Sequence, residues 1–132
     1  MSETTARPGR PQGLDDATVE ALGKLSEALE TAERARGHLY AFHQLTGRAH
    51  NMLAEAVEML RAAGHDGEAD VVRGDLLGRD VLAGRWTYQI VEEYDDGYRR
   101  AFQEVEELIR MRLAGGRRHI YEEEMKERFR SP

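Results

Sequence analysis

With no cysteine in the chain, metal ligation and proton transfer near neutral pH fall to its five histidines and its carboxylates. One stretch concentrates the candidates. "AGRWTYQIVEEYDDGY", residues 83–98, holds the only tryptophan, Trp86, together with Tyr88, Tyr94 and Tyr98, and four acids, Glu92, Glu93, Asp95 and Asp96. Carboxylates and histidines on facing helices can bind a divalent or transition metal ion. The metal candidates are His38, His43, Glu92 and Asp96. A small-ligand pocket would use His38, His43, Trp86, Tyr88 and Glu92. The competing reading makes the same stretch a packing feature, in which Trp86 and Phe42 fill a widened core and the acids form a solvated face.

Spacing favours the plainer reading. The Glu-x-x-His step of di-iron helices is absent, because Ala35, Tyr40, Gly47, Ala62 and Gly116 stand three residues before the histidines. His43 and His50 share a helix face but lie about 10 Å apart along it, too far for one ion, and fit the border of a core. His119 with Glu123, and Glu92 with Asp96, are one-turn pairs of the kind common on helix surfaces. No phosphate loop, nucleophile elbow or helical zinc motif occurs, so no catalytic residue is assigned and no enzyme class is indicated.

The totals describe a globular chain of one domain's size: 132 residues, 40% hydrophobic and 33% charged. A net charge of −6 without a basic stripe argues against nucleic acid as a partner. No run is long and apolar enough for a membrane span, and the first residues lack the apolar core of a secretory signal, so a cytoplasmic location is expected. All but Lys24 and Lys126 of the 19 basic residues are arginine, a bias that reflects coding composition more than function.

Between Leu14 and Ser131 there is no proline, the residue that most strongly breaks helices. Every seventh residue from 21 gives Ala21, Ala28, Ala35, Phe42, Ala49, Ala56 and Ala63. The neighbouring column gives Thr18, Leu25, Ala32, Leu39, Thr46, Leu53 and Leu60. Two apolar columns in strict seven-residue phase predict one coiled-coil helix from about 15 to 63, roughly 70 Å long at the α-helical rise. The phase survives Gly37 and Gly47. Gly64 should end this helix and Asp66 should cap the next one. In the second limb Val91, Tyr94, Tyr98, Ala101, Val105 and Leu108 recur at threes and fours. The earlier pairs Val71-Val72, Leu76-Leu77 and Val81-Leu82 drift around a helix, which predicts a break near Ala83 to Trp86. After Gly115-Gly116 a short amphipathic helix is expected.

The expected architecture is all-α: a long antiparallel helical hairpin (14–114) with a broken second limb, a disordered tail (1–13) before it and a short C-terminal helix (115–132) after it. Folding about residues 65 and 66 sets residue 88 across from 43 and residue 93 across from 38. Leu45, Met52 and Met59 flank the core columns and find no cover in a lone hairpin. They form the expected dimer or partner interface, completing a four-helix bundle as a homodimer.

Trp86-Thr87-Tyr88 with Glu92 resembles part of the export signal of small helical-hairpin proteins of actinobacteria, without that family's Trp-x-Gly turn. Arg48, Arg85 and Gln89 could stand where a helical chorismate mutase has Arg and Gln ligands, but no motif matches. No family is identified. The function expected is non-catalytic: a homodimeric helical assembly or protein-interaction module that needs no cofactor. The alternative is a metal- or small-ligand-binding bundle with its site at the break near Trp86.

Overall fold

The computed structural model describes residues 13–130, so the expected tail lies outside them except for Gly13. The described residues are helical throughout, apart from turns and one isolated bridge between Leu82 and Arg85. In chain order they form α1 (Asp16–Ala62), α2 (Asp66–Asp75), α3 (Thr87–Tyr94), a π-helical turn (Asp95–Arg99), α4 (Arg100–Ala114) and α5 (Ile120–Arg130). None of these helices is long and apolar enough to cross a membrane.

Helix α1 begins where Asp15 accepts the Thr18 backbone N–H at 2.8 Å, an N-cap that satisfies one of the orphan donors of the first turn. It runs unbroken through Gly37 and Gly47, as the phase predicted. It ends in a Schellman motif. Gly64 takes φ 87°, its N–H donates to the Arg61 carbonyl at 3.0 Å, and His65 donates to Leu60 at 2.8 Å. Asp66 is the first residue of α2 rather than its cap; His65 occupies the cap position and makes no side-chain cap bond. Arg61 bridges the turn to Asp70 at 2.8 Å, and that hydrogen bond foremost holds its guanidinium above the ordinary arginine value.

The chain divides into two compact units. The first comprises Met1–Arg34 and Tyr98–Pro132, of which 13–34 and 98–130 are described. Its core is Leu14, Val19, Ala114 and Ile120, with Leu22 packed against it. Beside that core lies a buried ion pair, Arg110 Nε to Glu106 Oε1 at 2.9 Å, while Arg110 Nη1 donates to the Gly116 carbonyl at 2.6 Å. The guanidinium thereby fastens the turn in which Gly115 and Gly116 both take positive φ and stop α4. Arg99 grips Glu33 with Nε at 3.0 Å and Nη2 at 2.8 Å, joining α4's entrance to α1.

The second unit is Ala35–Gly97. Val57, Ala69 and Val91 are its buried apolar residues, with Thr87 beside them. Its limbs meet in the register expected from folding about 65 and 66. Arg36 pairs with both carboxylate oxygens of Asp95 (3.1 and 2.9 Å), His43 meets Thr87, and Arg61 meets Asp70.

Three sequence expectations need correction. The break covers residues 76–86, well beyond Ala83 to Trp86: Gly78 and Gly84 take φ of 78° and 74°, and Leu76-Leu77 already lie in the turn. Second, the pattern of Tyr98, Ala101, Val105 and Leu108 does not face inward. The π turn adds a residue, which rotates everything after it by about 100° relative to α spacing. Glu106, Arg110 and Ala114 are buried instead, while Tyr98, Val105 and Leu108 are exposed. Asp95, Asp96 and Gly97 are weak helix formers, and Asp95 and Arg99 are each held by an α1 side chain of their own unit.

The third correction concerns α1. The column of Thr18, Leu25 and Ala32 in the first unit, continued by Leu39, Thr46, Leu53 and Leu60 in the second, is half-buried, as expected. Its partner is not the alanine column, which is exposed except at Ala56. It is Leu22 and Leu29 in one unit, and Arg36, His43, His50 and Val57 in the other. Phe42, expected inside, is 46% exposed. Leucine and valine bury more apolar area than alanine. The polar members of this column are admitted because each finds a hydrogen-bonding partner.

Candidate functional site

Two features of the second unit could carry function: the break before α3 and the outer face of α1. At the break, Trp86 leads into α3, where Gln89 Oε1 accepts the Trp86 N–H at 2.8 Å, half of a capping box. Asp80 accepts the Gly84 N–H at 3.0 Å and closes the preceding turn. Two histidines of α1 reach this region. His43 Nδ1 lies 2.7 Å from the hydroxyl of the buried Thr87, and His50 Nε2 accepts the Gly78 N–H at 3.3 Å. The His50 ring also lies 5.6 Å from the Trp86 ring, tilted by 49°.

Of the residues named for a ligand or metal, His43 is half-buried and engaged with Thr87. His38, Glu92 and Asp96 are exposed, as are Trp86 at 41% and Tyr88 at 51%. Trp86 thus does not fill a core; its ring lies against that of His50. Among the described residues no group of three or more histidine or acidic side chains is gathered closely enough to hold a metal ion. Arg85 pairs with Glu93 at 2.8 Å, Gln89 is taken up in the cap, and Arg48 is exposed. In the first unit His119, with φ 57°, lies 3.9 Å from Glu122, and Glu123 is approached by Arg117 at 3.5 Å.

Sequence reasoning gave no role to Thr87 or Arg36, and set Asp95 among acids of a solvated face that pair with nearby arginines. A signal for the ion pair was present: at the expected register, basic Arg36 on α1 falls across from acidic Asp95.

The outer face of α1 is different in kind. Leu45, Met52 and Met59 are 60%, 58% and 71% exposed. With Phe42, Ala49 and Ala56 they form a line at alternating steps of three and four, Phe42-Leu45-Ala49-Met52-Ala56-Met59. That is a second heptad seam, on the side of α1 turned away from α2 and α3. Nearer the start of the helix the same columns carry Lys24, Thr31 and His38, so the apolar seam is confined to the second unit. The interior beneath it is thin: among the described residues the largest side chain below 2% exposure is Val57.

No family model, curated protein or solved structure matches this chain. Its function therefore rests on the geometry of an all-α protein alone.

Proposed function

We propose that the protein is a non-catalytic helical assembly module that acts as a homodimer, each chain covering the outer seam of α1 on the other. The observation that carries this reading is the line Phe42, Leu45, Ala49, Met52, Ala56 and Met59, exposed at every position but the half-buried Ala56. Isolated exposed apolar residues need no explanation, but an ordered seam of coiled-coil spacing does. Pairing two such hairpins gives a four-helix bundle, with α1 sharing one apolar face with its own second limb and the other with its partner.

Sedimentation velocity on the full chain tests it: a dimer is expected at micromolar concentration. Covering the exposed part of Met52 is worth about 1–2 kcal/mol per copy. An unpaired carboxylate in the same place adds a burial cost, so Met52→Glu should weaken the dimer at least about a hundredfold. Gln44→Glu, a charge change off the seam, should leave it intact. A folded, monomeric wild type ends the reading.

A second reading, a metal or small-ligand site at the break, is supported by the two histidines that converge there with Thr87 and Trp86. It requires that a transition metal or small ligand raise the melting temperature and that His43→Ala abolish the rise.

A further inference from the structure

Resting on the homodimer reading, we infer that the two α1 helices pair antiparallel and in one defined register, with Arg48 of each chain opposite Glu55 of the other. The seam residues occupy heptad positions a (Phe42, Ala49, Ala56) and d (Leu45, Met52, Met59). Arg48 and Glu55 both fall at position g, and both are exposed. In an antiparallel pair, like flanks face each other, g against g; in a parallel pair, g faces e. Position e here holds Thr46, Leu53 and Leu60, which are half-buried and uncharged. A parallel dimer therefore leaves Arg48 and Glu55 without a charged counterpart, whereas the antiparallel dimer pairs them twice by symmetry.

The charges also choose the register. An antiparallel pair can slide only by whole heptads if its seams are to stay matched. One heptad in one direction sets Arg48 against Arg48, and one in the other sets Glu55 against Glu55. Only the central register joins opposite charges. In that register Phe42 meets Met59 of the second copy, Leu45 meets Ala56, and Ala49 meets Met52. Each alanine thus receives a long side chain, and the bulky Phe42–Met59 layers close both ends. Lys24, Thr31 and the exposed His38 stay outside the apolar overlap. The e flanks, against which the second limb of each chain packs, also come to the same side. That is the placement a four-helix bundle needs.

Single cysteines decide the matter cleanly because the chain has none of its own. In this register two copies of residue 45 lie about 16 Å apart along the axis, far beyond disulfide reach of about 7 Å, as do two copies of residue 56. Under oxidation, Leu45→Cys and Ala56→Cys alone should give no covalent dimer, and the double variant should give one. Sedimentation of each variant under reducing conditions establishes that it still dimerises. Arg48→Glu and Glu55→Arg should each raise the dimer Kd about tenfold, and the two together should restore it. Cross-linking by Leu45→Cys alone, with the dimer intact, shows parallel pairing and overturns this inference while leaving the homodimer standing. A dimer that cross-links in none of the three variants overturns it as well, by placing the contact elsewhere. A monomeric wild type removes the homodimer and the register together.

Discussion

Replacing Arg110 by methionine keeps most of the apolar stem and removes the guanidinium, which probes a local rule that sequence patterning does not reveal. In the folded chain that group contacts Glu106 at 2.9 Å and the Gly116 carbonyl at 2.6 Å, and the two side chains are only 11% and 7% exposed. Losing it strands a carboxylate inside the first unit. Removing one partner of a buried pair costs about 3–5 kcal/mol, against about 0.3–0.5 kcal/mol for a solvated pair one turn apart. For a chain of this size that loss corresponds to a drop of roughly 10–20 °C in melting temperature. The companion variant Glu106→Leu/Arg110→Met removes both charges and should recover to within about 1 kcal/mol of wild type, since an apolar pair of similar volume needs no compensation. Urea unfolding followed by far-UV circular dichroism is the assay, because Trp86 lies in the other unit and its fluorescence alone would miss a local loss. If Arg110→Met costs less than about 1 kcal/mol, the pair is energetically a surface pair and the reasoning from burial fails. If the double variant is no better than the single, the Gly116 contact carries the stabilisation and the ion pair does not.

Other outcomes test separate features. Gly64→Ala forces a Cβ into the left-handed conformation that ends α1 and should cost about 1–2 kcal/mol by chemical denaturation, with no change in assembly. Thr87→Val removes the hydroxyl bonded to His43 beneath the break and should cost about 1 kcal/mol, read by loss of the Trp86 fluorescence transition at lower urea. Met52→Glu should dissociate the dimer while leaving the helical signal of the chain in place, because Met52 is already 58% exposed within its own unit.

Much of the helical skeleton is legible in one dimension. The absence of proline between Leu14 and Ser131, the seven-residue phase and Gly64 are local properties of the chain. They place α1 and its end within a residue or two of where they lie. The hairpin register is legible for a related reason: a tight turn of known position fixes which residues of two helices come level. Arg36 therefore meets Asp95 and His43 meets Thr87. The candidate site at the break was legible only in part. Register brings His43 to Thr87, but which way Trp86 points depends on the turn of residues 76–86, whose backbone leaves helical geometry at Gly78 and Gly84.

What the tertiary structure alone decided was which face of each helix turns inward. On α1 two adjacent heptad seams compete for the core, and periodicity is satisfied equally by either. The choice fell on the column containing Arg36, His43 and His50 because their polar atoms find Asp95, Thr87 and the Gly78 N–H across the unit. That compensation cannot be read from α1 by itself. In the second limb a single extra residue in the Asp95–Arg99 turn reversed the expectation for Tyr98, Ala101, Val105 and Leu108. A periodic pattern records spacing but not the winding of the helix that carries it. Sequence thus determined the helical class, the ends of α1 and the approximate level of the limbs. Side-chain pairing across the limbs, with one local change of helical pitch, determined their facing and so left the seam of Leu45, Met52 and Met59 open on the surface.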